Sequence, residues 1–261
     1  MRGGFDLIAQ GMGGIMHVTG EPDGPPTSVG LPICDLGTGM WAVQGILAAL
    51  YQKSRTGQGQ LVECSLLETA VGFSSWTSAG WLADHREPTR QGSRHRQNAP
   101  YQRFATRDGY IMIGAANQAM WQKCARVLGR EGWADDPRFR TTPERIRNRA
   151  ILEAEMEAVL TTRSTEEWVK ALDEAGVPCG PVYTYAQLFE DPQIRHRRMV
   201  VYAEDPELGR VAHIRTPVRM SGSDVAVRRV APKLGQHTTE VLGFLGHSAA
   251  DIEALRRDRV I

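Results

Sequence analysis

Hydrophobic and polar positions between residues 30 and 59 alternate with the period of a long helix. Apolar residues recur there on one helical face at Met40, Val43, Leu47 and Leu50. The remaining faces carry alanine and glycine, which let a helix approach its neighbours closely. Asp35 is the first residue able to cap this helix, and a basic last turn before Gly57 ends it. We therefore predict a core helix that begins at Asp35, ends before Gly57 and is buried on nearly all sides.

Asp35 has two interpretations. A carboxylate at the positive end of a buried helix is stabilised as the anion and lies where a ligand can reach it. Aspartate is also one of the commonest N-caps, and most N-caps do no chemistry. The pattern by itself favours the plain cap.

The stretches that flank this helix are of mixed type. Residues 60–65 alternate like a strand and lead into an apolar helix over residues 66–82, a combination that indicates α/β packing. Residues 84–100 are polar, basic and without hydrophobic period, so we interpret them as a linker or an active-site loop. The arginines of this loop could bind a phosphate or a carboxylate, or could simply be solvated.

The second half of the chain contains several short elements. A D-G turn and a strand are predicted in residues 104–116, with helices over residues 118–128, 144–160 and 164–175. A capping box of Ser164 and Glu167 opens the third of these helices. Residues 176–182 must be extended or turning, residues 199–203 and 210–214 form a hairpin, and two capped helices lie in residues 235–242 and 248–255.

Composition restricts the class of protein. The chain has 261 residues, of which 41% are hydrophobic and 23% charged, as in a soluble globular protein. Its 31 basic and 30 acidic residues nearly cancel, so there is no electrostatic case for nucleic acid or for an anionic membrane. The N-terminus lacks the apolar core of a signal peptide, and no segment is expected to reach the length of a membrane span. These features predict a cytoplasmic protein.

The four cysteines form no C-x-x-C pair and indicate reduced thiols rather than disulfides or a metal site. Cys179 lies in G-V-P-C-G-P-V and could be a thiol nucleophile. A catalytic cysteine needs a depressed pKa and a neighbouring base, however, and the sequence indicates neither, so burial as a small apolar residue is the preferred interpretation.

Eight motifs, in order along the chain, resemble one protein family. They are F-D-L-I-A-Q-G-M-G-G with T-G-E-P-D-G-P-P-T, D-L-G-T-G with G-I-L-A-A-L, R-T-G-Q-G-Q, P-Y-Q-R-F-A-T-R-D-G-Y, G-V-P-C-G-P-V and L-G-Q-H-T. Together they resemble the family III CoA-transferases of the CaiB/BaiF type, which include formyl-CoA transferase. The chain is more distantly similar to the α-methylacyl-CoA racemases.

This resemblance implies an α/β fold with a partial large CoA-transferase domain, built from both chain ends, and a small α+β domain. The implied boundaries are 1–83 for the remainder of the large domain with its catalytic aspartate helix, 84–104 for a linker or active-site loop, 105–180 for the small domain and 181–261 for the segment that returns to the large domain. The family also implies an interlocked homodimer.

The resemblance further implies that Asp35 is the catalytic nucleophile, which would form an anhydride with an acyl group and then a thioester with CoA. Gly92 and His95, on the expected active-site loop, are the candidate residues for binding CoA. The implied substrates are an acyl-CoA and a small carboxylic acid, with no permanently bound cofactor and no metal.

Two departures from the family pattern leave alternatives open. Phe5 stands where the racemases have an acid/base histidine, which favours a transferase over an epimerase. The nucleotide-binding first half of the family fold has no counterpart here, so the chain could be a catalytically silent fragment or could require a separate N-terminal half. In addition, the loop holds only Gly92 as glycine, with Arg96 where proline is common.

Overall fold

A computed structural model describes residues 3–223 and 226–261. The chain divides into two compact units, Met1–Val182 and Tyr183–Ile261. The four domain boundaries expected from the family resemblance stay a prediction.

The first part of the first unit is helical. Its helices are α1 (Asp6–Met12), α2 (Ile15–Val18), α3 (Ile33–Thr56), α4 (Leu66–Phe73) and α5 (Ser75–Asp84). A small buried cluster of Ala9, Cys34 and Ala70 joins α1, α3 and α4. These helices pack very closely at two glycines. A Cβ atom on Gly37 would lie 2.4 Å from the Phe73 ring, and one on Gly13 would lie 2.3 Å from the Ala70 Cβ.

The boundaries of α3 agree only in part with the prediction. The helix ends as expected, with Gly57 in the left-handed conformation at φ 76° and its N–H donating to the Lys53 carbonyl. It begins at Ile33 rather than at Asp35, however, with Pro32 in the capping position. Asp35 is therefore the third residue of the helix, and its prediction as the N-cap is wrong.

The predicted burial of α3 is also wrong. Cys34, Gly37 and Ala49 are its buried residues, and they share one face. The opposite face is exposed: Met40, Val43, Leu47 and Leu50 each expose 55–60% of their surface. The described part of the first unit packs against the small-residue face alone, and nothing there covers the larger apolar side chains.

The exposed apolar face makes α3 resemble a membrane span in length and composition. The helix has 24 residues, with a mean hydropathy of 1.4 over its most apolar 18-residue window and 11% of that window buried. About 20 such residues can cross a bilayer. The expectation that no segment reaches this length is therefore wrong, although a core helix of a soluble protein passes the same test.

Two further expectations for this region need correction. Residues 60–65 form no strand, because in the described part of the chain no other strand pairs with them. The apolar segment after them is not one helix, since it divides into α4 and α5 at Ser74. The Ser65 side chain caps α4 by accepting a hydrogen bond from the Glu68 N–H.

The second part of the first unit is an α+β structure. Its strands are β1 (Tyr101–Ala105), β2 (Tyr110–Gly114) and β3 (Cys179–Pro181), which form an antiparallel sheet in the order β1-β2-β3. Its helices are α6 (Gln118–Val127), α7 (Thr142–Arg147), α8 (Arg149–Leu160) and α9 (Thr165–Glu174), with a 3-10 helix at Glu131–Ala134. The core includes Trp121, Phe139 and Trp168.

Most predictions for this part are confirmed. The D-G turn joins β1 to β2, and the capping box of Ser164 and Glu167 opens α9. The predicted helix over residues 144–160 is two helices, which meet at Asn148. Strand β1 lies partly within residues 84–104, so the irregular part of the expected loop ends at Pro100.

The second unit contains the predicted hairpin, formed by β4 (Val200–Asp205) and β5 (Gly209–Ile214). Its helices are α10 (Tyr185–Glu190), α11 (Pro192–His196), α12 (Thr238–Phe244) and α13 (Ala249–Arg257). Helix α13 is capped as predicted, and the structure shows that Ser248 and Asp251 form a capping box there. Helix α12 begins at Thr238, later than the expected residue 235.

Candidate active site

Asp35 lies in the first turn of α3 with its side chain exposed. Within residues 3–223 and 226–261 its carboxylate accepts no hydrogen bond. The amide groups at this helix end are instead occupied by Asp6, whose Oδ1 accepts from the Cys34 N–H at 2.8 Å and from the Asp35 N–H at 3.3 Å. A residue 29 positions earlier in the chain therefore caps the helix that carries Asp35.

Gln10 holds Asp6 in place. It is fully buried on α1, one turn after Asp6, and its Nε2 donates to Asp6 Oδ2 at 2.6 Å and to the Leu31 carbonyl at 3.1 Å. Its Oε1 accepts from the Val29 N–H at 3.0 Å. Asp6 and Gln10 thus fix the segment that leads into α3, and neither was predicted from the sequence as a site residue. Their signal was the spacing of four residues between two polar side chains on an otherwise apolar helix.

The residues around Asp35 hold α3 against α4. Thr38 Oγ1 donates to the Cys34 carbonyl at 2.7 Å and lies 2.8 Å from Thr69 Oγ1 of α4. Burial raises the pKa of the Cys34 thiol, and the charges of Asp6 and Asp35 raise it further. Cys34 is therefore held as a neutral thiol beside two carboxylates.

Gly92 lies where its loop meets the segment around Gly20. Its N–H donates to the Gly20 carbonyl at 2.9 Å, and its φ of 58° is left-handed. A Cβ atom there would lie 2.6 Å from Glu21 Oε2. The left-handed conformation favours glycine at this position, whereas the flexible end of the Glu21 side chain could move away from a Cβ atom. The predicted contact of Gly92 with CoA stays a prediction.

His95 is held by its own loop and by aromatic neighbours. Its ring stacks on Tyr101 with 5.0 Å between centroids and meets Trp76 edge-on at 6.0 Å. The ring Nδ1 accepts from the Gln97 backbone N–H at 3.1 Å, and the backbone N–H of His95 donates to the Tyr101 carbonyl. The ring is ordered by these contacts, whereas its predicted role toward CoA stays a prediction.

Helix α8 anchors the loop that carries Gly92 and His95. Arg94 forms an ion pair with Glu153, and Arg149 Nη2 donates to the His95 carbonyl at 2.9 Å and to the Asn98 carbonyl at 3.3 Å. Burial lowers the pKa of the Arg96 guanidinium. These contacts define the loop's position against the α+β part of the unit. No hydrogen bond or aromatic contact in the described ranges joins Gly92 or His95 to Asp35.

A cavity of about 780 Å³ opens beside the first turn of α3. Apolar side chains of the surrounding helices line most of it, namely Met12, Ile15, Val18, Ile33, Val71 and Trp81. His17 and Glu87 also line it, and the Nε2 atom of His17 lies 3.0 Å from Oε1 of Glu87. The cavity is large enough for a small organic molecule. Ile33, one of its lining residues, is two residues before Asp35 in the chain.

Cys179 is not in the environment of a thiol nucleophile. Cys179 is half-buried in β3, its Sγ donates to the Val169 carbonyl at 3.5 Å, and burial raises the pKa of its thiol. A raised pKa does not favour a nucleophilic thiolate at neutral pH. In the part of the chain that the structure describes, no three His, Cys, Asp or Glu side chains are grouped to hold a metal ion.

Comparisons with known proteins place this arrangement in context. The chain is 34% identical to human succinyl-CoA:glutarate CoA-transferase, over 92% of this chain and 55% of that protein. It is 36% identical to succinyl-CoA:mesaconate CoA-transferase of Haloarcula marismortui, over 93% of this chain and 61% of that one. The chain therefore spans about 55–61% of the length of these relatives.

A solved structure shares the fold. The crystal structure of a CAIB/BAIF family protein from Brucella suis superposes with a TM-score of 0.80 at 37% identity, covering 94% of this chain and 63% of that one. The family model described as CoA-transferase family III matches residues 1–238. This match extends over both the helical part that carries Asp35 and the α+β part. The chain is a member of CoA-transferase family III.

Proposed function

We propose that the protein transfers CoA between an acyl-CoA and a carboxylic acid, with Asp35 as the nucleophile. The observation that carries this proposal is the exposed Asp35 carboxylate, whose own helix amides are occupied by Asp6. A carboxylate without hydrogen-bond donors keeps its lone pairs for attack. Because the named relatives use succinyl-CoA, we propose succinyl-CoA as donor and a small dicarboxylic acid as acceptor.

The proposed reaction has four steps. An oxygen of Asp35 forms a bond to the acyl carbonyl carbon, the C–S bond breaks, and an anhydride and CoA thiolate result. The thiolate attacks the Asp35 carbonyl carbon, which releases the donor acid and leaves an aspartyl-CoA thioester. The acceptor carboxylate attacks this thioester and expels the thiolate, giving a second anhydride. Attack of the thiolate on the acceptor's carbonyl carbon then yields the new acyl-CoA and regenerates the Asp35 carboxylate.

Oxygen labelling tests this sequence. With succinyl-CoA and ¹⁸O-labelled glutarate, the bridging oxygen of the second anhydride comes from glutarate and remains on Asp35. Peptide mass spectrometry should therefore find ¹⁸O in the peptide that contains Asp35, and no label with the Asp35→Asn variant. An unlabelled wild-type chain would indicate the silent fragment or half enzyme. Exchange of the α-hydrogen of a branched acyl-CoA without ¹⁸O uptake would indicate the racemase.

We also propose a protein cover for the exposed face of α3. The apolar side chains on this face form a contiguous exposed patch, and monomeric proteins rarely expose large patches of this kind. A second subunit of the proposed homodimer, or a separate polypeptide equivalent to the unmatched part of the relatives, would cover them. Sedimentation of the purified chain with and without detergent tests whether protein association, rather than lipid, covers this face. We propose the cytoplasm as the site of action.

A further inference from the structure

We propose that Asp6 is a positioning residue, which caps α3 in place of Asp35 and so leaves the Asp35 carboxylate available for attack. This inference rests on the proposed function of Asp35. It concerns a residue on a different helix, and its role is separate from the chemistry of the nucleophile itself.

Other helices of this chain show what happens to an acidic residue in the position of Asp35. Asp35 is the third residue of α3, as Glu167 is of α9 and Asp251 is of α13. In α9 and α13 this carboxylate turns back and accepts a hydrogen bond from the N–H of the capping serine, at 2.8 Å and 2.9 Å. An acidic side chain in this position is thus ordinarily occupied by its own helix end.

Helix α3 lacks the partners for such a capping box. Pro32 occupies the capping position, and proline has neither a backbone N–H nor a side-chain hydroxyl. The first three amide groups of α3 are satisfied elsewhere: Ile33 N–H donates to the Leu31 carbonyl at 2.8 Å, and the next two donate to Asp6. The first three backbone N–H groups of α3 therefore donate to acceptors other than the Asp35 carboxylate.

The orientation of Asp6 is itself determined by Gln10. The Val29 N–H donates to Oε1 of Gln10, so the amide oxygen of Gln10 must face Val29. The amide nitrogen Nε2 then faces Asp6 and donates to its Oδ2. Asp6 Oδ1 is then aimed at the end of α3. Because Gln10 is fully buried, this arrangement is fixed by packing as well as by hydrogen bonds.

The variants follow from these contacts. Asp6→Ala removes the cap, so the freed amides can draw the Asp35 carboxylate toward its own helix. Asp6→Asn keeps the Oδ1 acceptor but sets an amide nitrogen against Gln10 Nε2. Asp191→Ala is the matched control, since Asp191 accepts from two N–H groups at the start of α11.

Two measurements on the full chain separate capping from catalysis. Hydrogen exchange should show the amides of Cys34 and Asp35 exchanging at least tenfold faster in Asp6→Ala, with no change in Asp191→Ala. The rate of ¹⁸O incorporation into Asp35 from labelled glutarate should fall at least tenfold, while the succinyl-CoA concentration for half-maximal rate stays within about twofold. Asp6→Asn should give an intermediate rate, which supplies the test if Asp6→Ala does not fold.

The possible failures are distinct. A wild-type chain that takes up no ¹⁸O overturns the proposed function, and the positioning role with it. Wild-type uptake with an unchanged rate in Asp6→Ala overturns the positioning role alone. Unchanged exchange of the Cys34 and Asp35 amides in Asp6→Ala overturns the cap.

Discussion

Arg94 and Glu153 form a two-point ion pair, in which Nε and Nη2 of the guanidinium each lie 2.7 Å from one carboxylate oxygen. Both side chains are partly shielded from solvent, with 32% and 16% of their surface exposed. This geometry is stronger than a single contact between exposed charges. It joins the irregular loop before β1 to helix α8, and so determines where Gly92 and His95 lie.

Replacing Glu153 with alanine should loosen this loop. The change removes both hydrogen bonds to Arg94 and should cost about 1–2 kcal/mol of stability. The loop contains several arginines, so trypsin should cut between residues 86 and 97 at least several-fold faster than in the wild type. Glu155→Ala is the control, because Glu155 lies on the same helix but pairs with Arg138. Equal cleavage rates for the two variants would contradict the anchoring role.

Gly37 and Gly39 should respond oppositely to alanine. A Cβ atom at Gly37 would lie 2.4 Å from Phe73 and 2.8 Å from Thr69 Cγ2, whereas none would meet an atom within 4 Å at Gly39. Gly37→Ala should therefore destabilise the chain by about 1–3 kcal/mol through overpacking of α3 on α4. Gly39→Ala should stabilise the helix by about 0.5–1 kcal/mol. Urea unfolding midpoints measure both, and equal shifts would contradict the close packing.

The elements predicted correctly are those whose determinants lie close together in sequence. Ser164 and Glu167 cap α9 from within one turn, and Gly57 ends α3 by its own left-handed conformation. The hairpin of β4 and β5 likewise depends on neighbouring residues. By contrast, residues 60–65 have a strand pattern but no strand, because pairing requires a partner that local alternation does not specify.

The environment of Asp35 could be predicted only in part, for the same reason. Its position near the start of a long helix follows from local spacing. Its release from capping depends on Pro32 together with Asp6, whose carboxylate reaches the helix from 28 residues before Cys34. The prediction that α3 is buried was wrong because the pattern identifies an apolar face but does not specify what covers it.

The cysteines should differ widely in reactivity. Cys64 is exposed, whereas Cys124 is fully buried and burial, with a smaller effect of Cys179, raises the pKa of its thiol to about 12. At pH 8 such a thiol is ionised to only about one part in 10⁴, and only the thiolate reacts rapidly. Peptide-resolved alkylation should show Cys64 reacting at least a hundredfold faster than Cys124. The fast phase should disappear in Cys64→Ser, and its persistence would contradict the assignment.

Asp108 should make the link between the β1–β2 turn and α9 sensitive to acid. The Thr165 N–H, and then its hydroxyl, donate to Asp108 Oδ1 and lower the pKa of this carboxyl below its usual range. Because the pKa is lower in the folded state, the charged carboxylate contributes to the free energy of unfolding at pH values above the unfolded-state pKa of about 3.9. This contribution is lost as the pH falls through the folded-state pKa. Asp108→Asn keeps an acceptor but does not titrate. The difference in Tm between wild type and variant should therefore be constant from pH 7 to about pH 5 and shrink toward pH 3, and parallel curves over that range would contradict the link.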